Sequence, residues 1–262
     1  MPTFYPVSKI KRAVCKSSAC KRMVDSFQTL INSEEVGMSP IILRILQLLV
    51  LVLLQAVLLF VSAGDLHWQA GWWYIGLYVL MLAAASFVMI PHRREVIEER
   101  SKGAKGGKRW DTWLTQLMIL PSLGLLVLAG LDQRWSWTPP LPAWVRLSGA
   151  FLFVAGYALV LWAMYANKFF SQAVRIQTER GHVAVTDGPY RIVRHPGYLG
   201  MTISMLGAVF LLDTVYGLAC WLLYLVLILL RIAREDQTLQ AELPGYREYA
   251  ARTKFRLVPG LW

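Results

Sequence analysis

The sequence predicts an all-α, polytopic membrane helical bundle: four full transmembrane helices, then a C-terminal helical hairpin and a cytoplasmic tail. Three observations predict it. Of 262 residues, 56% are hydrophobic and only 16% charged, with a mean hydropathy of +0.45, less charge than a soluble domain of this length carries. The apolar residues come in blocks of about 20, the length a helix needs to cross roughly 30 Å of hydrocarbon. The Lys and Arg residues are confined to alternate connecting segments, as orientation by the positive-inside rule requires.

Residues 1–40 form a basic cytoplasmic preamble in which an interfacial helix is expected around 20–31. No apolar core follows a basic start there, so no signal peptide is expected and the first span is a retained anchor. That span, Ile41–Val61, holds only Arg44, Gln47 and Gln55 as strongly polar residues, and Gly71–Ile90, Thr112–Leu131 and Leu147–Ala166 hold no charge. Lipid offers the backbone no hydrogen bonds, so such blocks must be helices. Residues 41–166 are therefore four spans in two hairpins, joined outside by the stiff Thr138–Pro142 turn and inside by a charged loop, 92–110, with a flexible Gly-rich centre. A further apolar stretch, Tyr198–Leu230, is broken at Leu212–Asp213–Thr214. It predicts two shorter helices, about 199–212 and 215–230, within a third region, 167–262.

Of the 27 Lys and Arg, only Arg134 and Arg146 fall on the opposite side; the rest lie in the N-terminal segment, the segments 91–110 and 167–197, or the tail, with Arg44 at the adjoining start of the first span. Those segments, and both termini, are expected in the cytoplasm. The net charge of +11 suits an anionic leaflet, and no nucleic-acid partner is expected because the charges form juxtamembrane collars without a recognition motif. Trp68, Trp72, Trp73, Trp135, Trp137 and Trp144 cluster beside the outer loops as an aromatic belt would. Cys15, Cys20 and Cys220 show no zinc-site spacing, and no metal is expected.

The residues that carry chemistry follow position 166. Arg194 and His195 open the hairpin, and Arg231, Glu235 and Asp236 close it. A tight hairpin returns both groups to one membrane depth. Arg231 and Glu235, at i and i+4, share a helix face. Such a site suits an ionic cofactor with an amino-acid moiety: Arg194 or His195 for a carboxylate, Glu235 or Asp236 for an ammonium or a ribose hydroxyl. Pro196 suits the first turn of the next helix. In the tail, Tyr249, Arg252 and Arg256 approach one face, where two arginines suit either an anionic substrate or lipid headgroups.

Three strings, GPYRIVRHPGYLG (Gly188–Gly200), RIAREDQTL (Arg231–Leu239) and GYREYAARTKFRLVP (Gly245–Pro259), together resemble the isoprenylcysteine carboxyl methyltransferase family and, more broadly, the membrane phospholipid methyltransferases. The resemblance covers roughly 167–262. It implies S-adenosyl-L-methionine in a cytoplasm-facing pocket closed by a cofactor-binding tail, and a lipophilic or lipid acceptor entering from the bilayer. Carried over by position, His195, Pro196, Tyr198 and Leu199 would line the cofactor pocket. Tyr190 and Arg194 would support it, with His182 and Val185 from the preceding loop. Glu235 matches the first of a paired Glu, and Asp236 stands where the second is usual. Arg252 matches a tail arginine expected to orient the acceptor; Arg180 and Arg256 are further candidates for catalysis.

Methyl transfer asks the protein mainly to position donor and acceptor. A carboxylate acceptor is already anionic, whereas an amine needs a base that the sequence does not single out. This favours a carboxylate or an easily ionised thiol over a phospholipid amine. Two rival readings differ in kind. An NADPH-dependent sterol-type reductase has a similar layout, but Gly197 and Met201 stand where the resemblance to such reductases implies Asn and Asp. A non-catalytic lipid-binding protein would not require the density of motif residues seen here. Either a bacterial inner membrane or an endoplasmic reticulum fits the composition. A reporter fused after Trp262 is expected to read cytoplasmic; an extracytoplasmic signal would reverse the assigned orientation.

Overall fold

A computed structural model of the chain describes residues 39–103 and 106–262. The interfacial helix expected around 20–31, and Cys15 and Cys20, lie outside the described residues. Each uncharged block is a helix that overshoots it at both ends or to its edge: α1 (Pro40–Ala63), α2 (Gln69–His92), and, after a short helix α3 (Arg94–Ser101), α4 (Arg109–Trp135) and α5 (Ala143–Ala166). The hairpin follows as α6 (Pro196–Leu211) and α7 (Gly217–Glu242), and the tail contains α8 (Tyr246–Arg252). Five of these, α1, α2, α4, α5 and α7, are long and apolar enough to cross a membrane. The protein is an integral multi-pass membrane protein.

Two elements depart from the sequence reading. The charged loop 92–110 contains α3, because Val96 and Ile97 turn inward and pack with Met89, Ile41 and Leu161, while Arg94 and Glu98 pair at i,i+4 on the outer face. A two-residue apolar face is too short to show against the six charged and polar residues of the same helix. The second arm of the hairpin is also longer than 215–230. It continues to Glu242 as a full span, because Arg231 and Asp236 find partners inside the protein and need not end the helix in water.

The end of the bundle that carries the α4–α5 and α6–α7 turns is tied by one buried carboxylate. Asp132, at the end of α4, accepts hydrogen bonds from the Thr138 backbone N–H (2.7 Å), the Thr138 hydroxyl (2.6 Å) and the Thr214 hydroxyl (2.6 Å). The α4–α5 turn is thereby fastened to the hairpin turn, where Asp213 adopts a left-handed backbone (φ 62°) and accepts from the Leu141 N–H (2.9 Å). Of the six tryptophans placed in the belt, Trp68 is instead buried, edge-on to Phe60.

The closest contact in the bundle runs along α5 and α6, which are antiparallel. Gly149 and Gly156 on α5 face Gly207 and Gly200 on α6. Small residues at this spacing let two backbones touch, the usual basis of helix association in lipid, where apolar burial gives no advantage over contact with the acyl chains. A Cβ on Gly207 would stand 2.3 Å from the Phe153 nitrogen, and one on Gly156 2.5 Å from the Gly200 oxygen. The clash is with backbone, so neither can be relieved by a rotamer. Gly207→Ala and Gly156→Ala are each expected to cost about 1–3 kcal/mol or more, as overpacking does, and to lower the thermal midpoint in detergent. Gly76→Ala, with nothing within 4 Å of its added Cβ, is the control and should leave the midpoint unchanged.

Candidate active site

The inner end of the bundle is organised by Asp236, which is fully buried on α7. Its Oδ2 accepts from Arg194 Nη2 (3.1 Å), Arg256 Nε (3.1 Å) and Gln240 Nε2 (2.8 Å), and its Oδ1 from the Tyr246 hydroxyl (3.0 Å). Arg194 Nε and His195 Nε2 approach Oδ1 to 2.9 and 3.5 Å. The other end of Arg194 donates to the carbonyls of Ala250 (3.3 Å), Thr253 (3.1 Å) and Lys254 (3.4 Å). A cation there meets the unpaired carbonyls that every helix leaves at its C-terminus. The backbone N–H groups of Arg194 and His195 donate to Phe255 and Arg256 oxygens (both 2.9 Å), so the tail is laced along the segment that opens α6. Pro196 takes the first position of α6, after His195 as its cap.

A second buried pair sits one to two turns deeper. Arg231 Nε donates to Asp111 Oδ1 (2.7 Å) and its Nη2 to the Gln172 carbonyl (2.9 Å). Asp111 Oδ2 accepts from the Val174 N–H (2.8 Å). The first turn of α4, the 167–187 segment and α7 are thus joined. The Arg231–Glu235 pairing that the i,i+4 spacing suggests does not form: Glu235 instead accepts from the Tyr198 hydroxyl (2.5 Å). Tyr198 stacks on His195 with centroids 5.8 Å apart, and the Arg231 guanidinium lies 5.2 Å from its ring centre.

Around these groups is a cavity of about 420 Å³. Of the residues singled out from the sequence, His182, Val185, Tyr190, Arg194, His195, Tyr198 and Glu235 line it. Asp236, Pro196 and Leu199 stand behind its wall, where Asp236 orients the residues that face inward. Arg180, Arg252 and Arg256 are not on the wall either. Arg180 fastens the 167–182 segment by donating to Gln177 Oε1 (2.5 Å) and the Lys168 carbonyl (2.9 Å). Arg256 belongs to the Asp236 cluster, and Arg252 is exposed on α8. Residues that spacing did not reveal also line the cavity: Arg100 on α3, Thr115 on α4, Gln172, and Tyr246 and Tyr249 from the tail.

His182 stacks on Phe169 with centroids 4.4 Å apart, and its Nδ1 accepts the Gln177 N–H (3.3 Å). Burial, with Arg180 and Arg175 nearby, pushes its pKa down to about 4, so the ring is neutral at physiological pH. Glu99, on α3, is desolvated, yet Arg175 and Lys102 hold its carboxyl below the usual range. That cluster braces α3 against the 167–187 segment.

A second cavity, of about 670 Å³, lies between α1, α2, α4, α5 and α6 and is walled mainly by Ile, Leu, Met, Val and Ala side chains. The two cavities share part of their lining: Leu51, Arg100, Ser122, Leu123, Gln172, Met201 and Tyr224 appear in both. Both volumes fall in the range of about 300–1,000 Å³ typical of small-molecule sites.

The fold and this pair of adjoining cavities define an integral membrane protein with a polar chamber at one end of the bundle and an apolar one inside it. Residues 149–241, from within α5 to near the end of α7, match the sequence model of the Isoprenylcysteine carboxyl methyltransferase (ICMT) family, the family that the GPYRIVRHPGYLG and RIAREDQTL strings resemble. Protein-S-isoprenylcysteine O-methyltransferase A of Arabidopsis thaliana is 30% identical over 96 residues, 36% of this chain and 41% of the relative. Protein-S-isoprenylcysteine O-methyltransferase B of the same plant is 31% identical over 84 residues, 32% and 39% respectively. The chain thus aligns with about two fifths of the length of these curated relatives.

Removing the carboxylate of Asp236 would leave Arg194 and Arg256 facing each other without their shared anion. Breaking a buried pair this way typically costs about 3–5 kcal/mol. Asp236→Asn is therefore expected to lower the unfolding midpoint sharply and to release the tail to protease. Limited proteolysis read at residues 253–262 checks this, and a tail as resistant as in the unmodified protein would refute the clamp.

Proposed function

We propose that this chain is an S-adenosyl-L-methionine-dependent methyltransferase that acts on a lipophilic carboxylate, of the isoprenylcysteine kind, at the cytoplasmic face of the membrane. The observation that carries the proposal is the shared wall between the more polar chamber and the apolar one, which would let a hydrophilic donor and a membrane-soluble acceptor lie side by side. The names of the curated relatives and the family match over 149–241 support the same reading. The arginine collar of the sequence supports the cytoplasmic face.

The residues of the polar chamber fit the donor. Glu235 is the sole carboxylate among its lining residues and suits an ammonium or ribose hydroxyls. Arginine and histidine side chains of the same lining suit a carboxylate. One buried polar atom of the lining, Thr115 Oγ1, has no partner within the described residues; such an atom costs about 1–3 kcal/mol unless a ligand engages it. When bound, the donor supplies a methyl group on a sulfonium, whose C–S electrons return to sulfur as the acceptor's lone pair forms the new bond. The protein holds the chamber's shape through Asp236 and Asp111, keeps the Tyr198 ring oriented through Glu235, and limits water through the packed tail. A carboxylate brings its own lone pair, so no protein base is required.

S-Adenosylhomocysteine is expected to bind the full-length protein in detergent. Glu235→Gln and His195→Ala should each weaken it about tenfold or more, the effect of losing one charge-assisted contact. Unchanged affinity in both variants, or binding of NADPH in place of S-adenosylhomocysteine, would overturn the proposal.

A further inference from the structure

Four arginines line the polar chamber, and three of them are matched. Arg175 is paired with Glu99 and Glu179, Arg194 with Asp236, and Arg231 with Asp111. Arg100 has no carboxylate within 4 Å among the described residues. Its guanidinium rests 5.4 Å from the Phe170 ring centre and lines both chambers at once. Arg44, on α1, lines the apolar chamber at the same end and donates to Gln47 Oε1 (3.1 Å). Burial, reinforced by repulsion from Arg44 and Arg231, pushes the Arg100 pKa down to about 9. Its charge is thus held in a place that disfavours it, without an anion beside it among the described residues.

An arginine of this kind can be a collar residue that reaches for the interface along its apolar stem. That role requires the head to leave the protein. Arg100 instead faces inward, where it meets the mouth of a chamber lined with Ile45, Leu48, Met81, Met89 and Leu161. Two guanidiniums above an apolar chamber match an amphiphile with an anionic head and a hydrocarbon body. A guanidinium also presents paired donors in the geometry of a carboxylate.

We propose that Arg100, with Arg44 beside it, is the positioning residue that holds the acceptor's carboxylate at the junction of the two chambers; this rests on reading the apolar chamber as the acceptor site. Both residues lie outside the family-matched segment. The assignment has two consequences for selectivity. An amine-headed lipid meets like charge at the mouth and is turned away. Methylation converts the carboxylate to a neutral ester without releasing a proton, so the product loses the ion pair that drew the acceptor in.

The test uses the full chain in detergent with N-acetyl-S-dodecylcysteine and its carboxamide as probes, and S-adenosylhomocysteine binding measured separately. The unmodified protein should bind the acid about ten- to a hundredfold tighter than the amide, the range of a hydrogen-bonded charge. Arg100→Gln should erase that preference with S-adenosylhomocysteine affinity kept within about twofold, and Arg100→Lys should restore part of it. In turnover, the loss should appear in KM more than in kcat, as it does when binding is lost equally from ground and transition states. Equal binding of acid and amide by the unmodified protein, or an acid preference that persists in Arg100→Gln, would overturn the assignment, as would parallel loss of both probes. An acid preference found in a protein that does not bind S-adenosylhomocysteine would leave Arg100's role standing and defeat the methyltransferase reading instead.

Discussion

A single carboxylate with no exposed surface, Asp236, holds together four pieces of the chain. The start of α6, the inner part of α7, helix α8 and the last ten residues all meet it through Arg194, Gln240, Tyr246 and Arg256. Burying an ion is costly, and the mutual attraction of a buried pair offsets that cost only when the remaining lone pairs and protons are also satisfied. Here both carboxylate oxygens are used, and Arg194 spends its remaining donors on the carbonyl end of α8. The cluster is therefore specific about where each partner sits. The resemblance implies Glu at this position. A carboxylate one methylene longer would have to fit where the side chain has no free surface, and a filled site of that kind resists added volume.

The Asp111–Arg231 pair performs the same task between α4, α7 and the 167–187 segment. The two clusters divide the ions of the inner end into neutralised sets and leave Arg100 over. In lipid, where apolar contact between helices has little advantage over contact with acyl chains, such polar ties and the glycine seam of α5 and α6 carry more of the burden of register than they would in a soluble bundle. The seam fixes the distance between α5 and α6, and the clusters fix the depth at which Arg194, His195 and Tyr198 stand against Glu235. A chamber wall is assembled from segments that the chain visits far apart, and each wall residue is located by a contact outside the chamber.

The spans were legible because lipid allows no other solution: an uncharged block of about 20 residues must close its own hydrogen bonds. The hairpin break at Asp213 was legible for the same reason, since one polar residue with a left-handed backbone interrupts an otherwise apolar run. The local string around His195 pointed to a stretch of chain that lines the more polar cavity. What spacing could not show was pairing across 120 positions, as between Asp111 and Arg231, because nothing at either residue marks its partner. The i,i+4 relation of Arg231 and Glu235 was a permitted contact, but each found a stronger one elsewhere. Arg100 was invisible for a related reason. Within a segment of seven basic residues its neighbours look alike, and only the inward turn of α3, set by Val96 and Ile97, separates it from them.

The geometry also divides the labour along the chain. Most of the polar chamber's wall comes from the family-matched segment and the tail that closes on it. The apolar chamber is walled largely by α1, α2 and α4, which precede that segment. On the proposed reading, the donor site draws mostly on that segment and the tail, whereas the acceptor site adds α1, α2 and α4 to α5 and α6, and the two meet at Arg100, Gln172, Met201 and Tyr224. Donor chemistry constrains one part tightly, since the donor is the same whatever is methylated. The other part is free to change its apolar lining and its mouth charge without disturbing the donor. On that reading, a family match that begins only at 149 is what such a division would leave behind, and the determinants of acceptor choice would include residues of α1, α2 and α4 that precede it.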